Sequence, residues 1–467
     1  MFNWKWDISL AVLAAAVSSP DFAVSQTTAP ADSYTRGAPQ AVAADYYAAE
    51  YYDGAQQPMQ PASLGSAGYE PQCAAPAVDS CTSGYDDCGA GCASCGSSCG
   101  LGGGLFGPCC EHGDAWTLFP EFCDGSTMGG WVSGGIYSNA HGRRGVGGNG
   151  PLGFRDLAGE GALNQAWFFA GREADGQCGL DWGYRVDYVF GIDGPDTQAF
   201  GQNSGYDTDW DSSSRYGSAL PQLYGEVAYG DLSVKFGHFF TIIGYEVVAA
   251  PGNFFTSSSY TQYYGEPFTH TGVLAEYAYS EDVTLYGGYT FGWDTGFDDG
   301  GNGATFLGGV GLQLTDDLKA TYASNFGNFN EDLGGGDVYM QSLVFDLTLT
   351  ERTNYVFQTD YGTLDQADGR HNWYGINQYL FYTINDCWSA GARFEWFDDE
   401  DGARVGNGSG DYYALTSGVN WKPHANIVVR PELRYDWFDG GADGVNPFDE
   451  GNADEQFSGG FDVIFTY

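Results

Sequence analysis

Leu180-Asp181-Trp182-Gly183-Tyr184-Arg185-Val186-Asp187-Tyr188-Val189-Phe190 decides the fold. Its even-numbered positions are all apolar or aromatic, while Asp181, Gly183, Arg185 and Asp187 fill the positions between. Side chains of a strand point alternately to its two faces, so this is a strand with one greasy and one wet side. The same period returns along the chain. Ile427, Val429, Pro431, Leu433, Tyr435 and Trp437 oppose Arg430, Glu432, Arg434 and Asp436. Thr353, Tyr355, Phe357, Thr359 and Tyr361 oppose Asn354, Gln358 and Asp360, and Trp388, Ala390, Ala392, Phe394 and Trp396 oppose Ser389, Arg393 and Glu395.

A soluble sandwich alternates too, and three further features separate it from a membrane barrel. The first is the rhythm of the connections. Tight turns at Gly230-Asp231, Ser280-Glu281-Asp282, Thr315-Asp316-Asp317, Glu351-Arg352, Asn385-Asp386 and Lys422-Pro423-His424 take turns with long polar loops. The loops are expected near 139–161, 192–219, 239–269, 294–303, 326–337, 363–370, 398–410 and 438–455. Short turns on one rim and long loops on the other are how outer-membrane barrels are built. The second is charge segregation. Arg185, Lys235, Lys319, Arg393, Arg430 and Arg434 all fall on the polar side, as lipid demands, because a lipid-facing Arg at mid-bilayer costs about 2–4 kcal/mol. The third is the final stretch, where Phe457, Gly459, Phe461, Val463, Phe465 and Tyr467 share one face. Phe461, Val463, Phe465 and Tyr467 are therefore expected to form the closing strand, since an open edge is excluded from hydrocarbon.

About sixteen such segments lie between residues 129 and 467. The count is even, and at this size a lumen holds water rather than only side chains. The fold class predicted is an all-β, transmembrane, antiparallel up-and-down barrel over 126–467.

The rest of the chain agrees. Asp+Glu 61 against Lys+Arg 17 gives 467 residues a formal charge of -44, which excludes a nucleic-acid-binding surface. No apolar stretch reaches the ~18 residues of a spanning helix, and mean hydropathy is -0.30. Residues 1–25 read as an export signal, with Lys5 before an apolar run and Ala23-Val24-Ser25 as a cleavage site. Residues 26–72 have the composition of a disordered tether. Nine of eleven Cys fall between Cys73 and Cys123. The single Cys92-Ala93-Ser94-Cys95 lacks the second pair of a zinc site, so disulfides in a periplasmic segment over 73–125 are the expectation.

The barrel portion resembles the putative β-barrel porin-2, OmpL-like family of outer-membrane proteins. The residues that carry this are Asn149-Gly150-Pro151-Leu152-Gly153-Phe154, Leu163-Asn164-Gln165, the run Val234–Glu246, His270-Thr271-Gly272 and the Tyr467 ending. The resemblance implies an outer-membrane porin and brings no defined substrate site.

The connection from 239 to 269 is the candidate site. It is the greasiest loop, with Ile242, Ile243, Val247, Val248, Phe254, Phe255, Tyr260, Tyr263 and Tyr264, and its charges are Glu246 and Glu266. A solvated loop has no use for such residues, so it is expected to fold into the lumen, as the corresponding loop of general porins does by analogy. Glu246 and Glu266 would then face Arg185, Lys235, Arg393, Arg430 and Arg434 as a constriction with a transverse field. Packing on the outer rim is the alternative.

Acidic outer loops predict a weak cation preference. Asp207, Asp209 and Asp211 have the opening spacing of a calcium loop, although Ser212 replaces the turn Gly and Ser218 the closing Glu, so calcium is a weak candidate and no other cofactor is expected. Enzyme signals are poor. There is no GxSxG, Gly145–Gly150 matches a nucleotide loop only by letter, and the six His lack ligand spacing, with His238 and His270 merely flanking the long loop. The function expected is passive diffusion of small hydrophilic solutes or ions through a non-enzymatic channel. The partners expected are outer-membrane lipid, the diffusing solutes or ions, and further copies of the chain in a homo-oligomer. The alternative is an envelope protein whose barrel is an anchor and whose Cys-rich segment cross-links its surroundings.

Overall fold

The computed structural model describes residues 115–467, apart from 121, 123, 200–205, 208–209, 211–214, 298–301, 330–334, 407 and 441–445. The expected signal, the tether and most of the Cys-rich segment lie outside the described residues. Sixteen strands follow one another: β1 (Thr127–Asn139), β2 (Gly161–Arg172), β3 (Asp181–Gly191), β4 (Gly217–Tyr229), β5 (Leu232–Phe240), β6 (Thr269–Ser280), β7 (Val283–Thr290) and β8 (Ala304–Thr315). The second half comprises β9 (Leu318–Asn328), β10 (Asp337–Thr350), β11 (Thr353–Gln366), β12 (Gly369–Asn385), β13 (Trp388–Asp399), β14 (Gly410–His424), β15 (Ile427–Gly440) and β16 (Glu455–Thr466). Each pairs antiparallel with its sequence neighbours and β1 pairs with β16, so the sheet is a closed barrel.

Closure comes from the final strand, as its pattern predicted. The register runs from Trp131 opposite Thr466 to Asn139 opposite Ser458. Gly130 and Tyr467 exchange backbone hydrogen bonds of 3.0 and 2.9 Å beyond it, and the Tyr467 hydroxyl donates to the Trp167 carbonyl at 2.9 Å. Phe461, Val463 and Phe465 point outward and are exposed, while Ser458, Asp462 and Ile464 point into the lumen and are buried.

One expected loop is absent. β11 reaches Gln366 and β12 starts at Gly369, so the stretch 363–370 is a tight hairpin rather than a long loop. Alternation continues through Leu364, and Asp368-Gly369 supplies the turn residues. The outer face carries aromatic pairs at both ends. Trp388 stacks on Trp421 at 5.7 Å near the short turns, and Tyr413 on Trp437 at 5.1 Å near the long loops, where girdles meet the membrane interfaces. The core of the molecule sits inside the barrel. Trp131, Trp167, Trp373, Phe397 and Tyr412 from the wall form one buried cluster with Phe240, Ile243, Val247, Tyr260, Tyr263 and Tyr264.

Candidate functional site

Those last residues place the 241–268 connection in the lumen. It leaves the top of β5 and returns to β6, yet its contacts reach strands on the far side of the barrel. A chain crossing a packed lumen cannot leave its amides and carbonyls bare, because an unpaired buried backbone group costs free energy comparable to a lost hydrogen bond. Here the wall supplies the partners through its inward charges. Arg430 donates to the carbonyls of Ala250 and Asn253 at 2.7 and 2.6 Å. Arg393 donates to the Ser257 carbonyl at 2.8 Å, and Arg434 to the Ser258 carbonyl at 2.6 Å. In the other sense, the amides of Thr256 and Ser257 donate to Glu432 at 2.7 and 3.2 Å, and that of Thr261 to Glu395 at 2.8 Å. Gln165 on β2 donates to the Val248 carbonyl at 2.7 Å, and Trp373 on β12 to that of Gly265 at 2.8 Å.

The charges are matched locally, which differs from the expected field of two carboxylates facing five cations. Of the expected pairs, only Glu246 with Arg393 forms. Arg430 pairs with Asp462 at 2.6 Å, Arg434 with Asp436 at 2.8 Å, and Arg185 with its neighbour Asp187. Lys235 lies 5.5 Å from the Tyr224 ring centre, on a stretch of wall away from the clamp. Glu266 meets no cation of the set. It accepts from Gln358 of β11 beside Asp360, and burial with that neighbouring carboxyl holds it well above the usual carboxylate range. The physical reason is desolvation. A buried charge persists only with a partner at contact distance, so Arg185, Arg430 and Arg434 take a carboxylate of their own or the neighbouring strand, and Arg393 takes the one the loop delivers.

Residues outside the expected set complete the clamp: Glu395, Glu432, Asp436 and Asp462 on the wall, and Arg155 and Arg404 from other loops. Arg155 pairs with Asp193 at 2.8 Å and donates to the Thr256 carbonyl at 3.1 Å. Arg404 donates to the Tyr264 carbonyl at 2.6 Å, with its guanidinium 5.4 and 4.8 Å from the rings of Trp293 and Trp373. Three of the four carboxylates, Glu395, Glu432 and Asp436, stand on the polar side of the strand alternation. What a strand pattern does not encode is that a loop's backbone would claim them.

Other expected residues have structural surroundings. Asp207 turns inward and is fully buried, accepting from the amides of Ala199 and Leu220 at 2.9 Å each. Each carboxylate oxygen thereby holds one amide, and burial pushes this carboxyl up to about 7. Asp209 and Asp211 lie outside the described residues. Among the acidic outer residues, Asp193 and Asp399 are also buried, the latter receiving the amides of Arg404 and Val405. His238 lies 2.8 Å from the Thr271 hydroxyl, and His270 2.8 Å from the Thr241 hydroxyl and 3.0 Å from the Gly292 carbonyl.

The opposite wall is different. The register puts Thr284, Tyr286 and Gly288 of β7, Gly309, Gly311 and Gln313 of β8, and Lys319 and Thr321 of β9 on the lumen side. A Cβ added at Gly311 would meet nothing nearer than Thr284 at 3.8 Å, and Thr321 is exposed although it faces inward.

Residues 125–467 match the model of the family described as Putative beta-barrel porin-2, OmpL-like. The chain belongs to this family. No curated protein matches it in sequence. Among solved structures, this porin-2 chain is similar to the outer membrane channel DcaP of Acinetobacter baumannii, at 10% identity over 73% of this chain and 97% of that one, TM-score 0.51. It is also similar to OmpF of Salmonella typhi in complex with daunomycin, at 11% identity over 74% and 99%, TM-score 0.50. At these identities the likeness is one of fold. Family and fold make the porin-2 chain an outer-membrane channel, with its short turns on the rim that such barrels turn to the periplasm.

Proposed function

We propose that the protein is a passive pore for small hydrophilic solutes, in which the 241–268 loop narrows the lumen and leaves a passage along β7–β9. One observation carries this reading. The loop's polar contacts engage β2, β11–β13 and β15, whereas the inward side of β7–β9 toward the short turns carries Thr284, Tyr286, Gly309, Gly311, Gln313, Lys319 and an exposed Thr321. A weak cation preference is part of the proposal. Toward the periplasmic end, Glu226 sits across from Lys235 and Asp346 from Lys319, and Glu276 adds a further inward carboxylate. An excess of fixed negative charge in a narrow aqueous path raises the local cation concentration.

The test is single-channel conductance and reversal potential of the detergent-purified, heat-modifiable protein in a planar bilayer under a salt gradient. Steady open steps with a cation-selective reversal potential are expected, and deletion of Val247 to Tyr260 raises the step size. A folded barrel that carries no current overturns the proposal in favour of an anchoring role. Unchanged conductance after the deletion refutes the constriction alone.

A further inference from the structure

The 241–268 loop carries two carboxyl groups, and the wall treats them oppositely. Glu246 pairs with Arg393. Glu266 instead meets a second acid. Its Oε1 accepts from the Gln358 side-chain amide of β11, the same nitrogen lies 3.0 Å from Asp360 Oδ1, and the Ser342 hydroxyl of β10 donates to that oxygen at 2.7 Å. The Glu266 and Asp360 carboxyls also hydrogen-bond each other, and among the described residues Glu266 Oε2 and Asp360 Oδ2 have no other partner. All four side chains are buried.

Two ionised carboxylates have no hydrogen to share, and like charges out of water cannot both persist, so one of this pair holds a proton. The donors show which. Asp360 receives both Ser342 and Gln358, whereas Glu266 receives Gln358 alone, so Asp360 is the carboxylate and Glu266 the acid that donates to it. Burial, and after it Asp360, holds the Glu266 carboxyl well above its ordinary 4.5. The charges that act most strongly on it, Asp360 and Glu246, are both negative. Of the elements packed around it, β10 presents Ser342, β11 presents Gln358 and Asp360, and β12 presents Trp373, which donates to the Gly265 carbonyl at 2.8 Å. The loop after β7 presents Asp294, which accepts the amides of Phe268 and Thr269 at 2.7 Å each. The flanking cations are already engaged, Arg393 with Glu246 and Arg404 with the Tyr264 carbonyl.

The same carboxyl ties the loop to itself. Gly244, at φ +91°, lies so close to the Glu266 carboxyl that a Cβ there would overlap both of its oxygens. Glu266 therefore sits between the departing limb of the loop, the returning limb and β11. We propose that Glu266 and Asp360 form a proton-held latch, in which an acid-to-carboxylate hydrogen bond fastens both limbs of the constriction loop to β11, and loss of the proton with rising pH frees them and widens the lumen. Release passes the Glu266 proton to hydroxide, giving water and two facing carboxylates that repel. A group that keeps its proton when latched and loses it when released favours the latched state most at low pH. Latching is full below about pH 4.5, and the opening equilibrium grows about tenfold per pH unit above that until Glu266 ionises in place. The effect on conductance rests on the pore proposed above, and the latch itself does not.

Infrared spectra and hydrogen exchange of the full chain in detergent test the latch, and bilayer conductance tests what it gates. Glu266→Gln keeps the shape and both hydrogen bonds but has no proton to lose. The carbonyl stretch of a buried, protonated carboxyl is expected in the wild type at pH 7 and is missing from Glu266→Gln. On peptides covering 261–268, the ratio of exchange in the wild type to that in Glu266→Gln at the same pH, in which intrinsic rates cancel, should rise about tenfold per unit from pH 5 to pH 7. In Asp360→Asn the rise should level off at a lower pH, because the charge that keeps the proton in place is gone. The conductance step should grow with pH in the wild type and stay flat in Glu266→Gln. No infrared difference, an exchange ratio flat with pH, or an Asp360→Asn profile identical to the wild type overturns the latch. A wild-type step that ignores pH while the exchange ratio rises overturns the gating. A folded barrel silent at every pH refutes the pore reading, and the infrared and exchange results still judge the latch.

Discussion

Arg393 is the sharpest point at which to break the loop clamp. Its side chain is fully buried on β13 and pairs with Glu246, itself 5% exposed. The same guanidinium donates to the Ser257 carbonyl and to Thr416 at 2.8 and 3.2 Å, and lies 5.2 Å from the Phe255 ring centre. Arg393→Ala removes these together and strands the Glu246 carboxylate, whose remaining donor is the Ser259 amide at 2.7 Å. Removing one partner of a buried pair costs about 3–5 kcal/mol, much of it the penalty of the charge left behind. The barrel should absorb none of this, since the sixteen-strand ladder does not pass through the side chain. The loop bears it. If local opening becomes easier by that amount, amide exchange at Thr256, Ser257 and Ser259 accelerates roughly 10² to 10⁴-fold, at 1.4 kcal/mol per decade. Hydrogen exchange read by mass spectrometry on peptides covering 246–261 measures this, with strand peptides as the internal control. Adding Glu246→Gln should return part of the loss, because the uncompensated charge is gone while the missing contacts are not. Exchange in the loop unchanged in the single variant, or a double variant no better than the single, would refute the clamp.

Four other outcomes follow from the same geometry. Gly153 has φ +58° and a Cβ there would lie 2.4 Å from the Tyr263 ring, so Gly153→Ala should loosen the docking of the first loop by roughly 2–4 kcal/mol, seen as faster proteolysis near residues 145–160. Burial raises Asp207 to about 7 from its ordinary 3.8, so the folded loop holds a proton that the unfolded loop has lost; its anchoring is full below about pH 4 and weakens as pH rises to about 7, by up to about 4 kcal/mol. Proteolysis of the 192–216 loop should therefore speed up from pH 5 to pH 8, and Asp207→Asn should flatten that profile. A Cβ on Gly130 would meet the Trp167 carbonyl at 2.0 Å and the Tyr467 hydroxyl at 2.7 Å, so Gly130→Val should block barrel closure, read as loss of the heat-modifiable band. Lys319→Glu, next to Asp346 on the open wall, should shift the reversal potential further toward cations, and an unchanged potential would place the ion path elsewhere.

How much of this was legible differs by element, for physical reasons. Strand number, closure and the lipid face follow from a period of two and from the exclusion of charge from lipid, both of which act locally on every strand. The inward fold of the long loop was readable too, because Ile243, Val247, Tyr260 and Tyr264 are too apolar for a solvated connection. The hairpin at Gln366–Gly369 was misjudged because Asp and Gly serve a tight turn and a long loop equally. Charge pairing was the least legible. Arg430 faces Asp462 because β15 and β16 are adjacent in register, but Glu432 turns to Thr256 because a loop 176 residues away delivers two amides to it. Nothing in the spacing of Arg430-Pro431-Glu432-Leu433-Arg434 distinguishes the two fates.

A division of labour inside the barrel follows from these pairings. A loop carried through a lumen needs donors and acceptors along its whole backbone, and on β13 and β15 the inward Arg393, Glu395, Arg430, Glu432 and Arg434 are spent on them. Charges so used are neutralised at contact distance and are poor at attracting a passing ion, since the field of a tight pair falls off much faster than that of a single charge. In the pore proposed above, ion preference is set where inward charges are not claimed by the loop. Besides the Arg185–Asp187 pair of β3, those are Glu226, Lys235, Glu276, Lys319 and Asp346, near the short-turn rim on β4–β6, β9 and β10. In that proposal the clamp and the charges that set ion preference occupy different arcs of one wall. Substitutions on β13 or β15 should alter how firmly the loop is held, and so the size and noise of the conductance step. Substitutions on β9 or β10 should alter the ion preference while the loop stays in place.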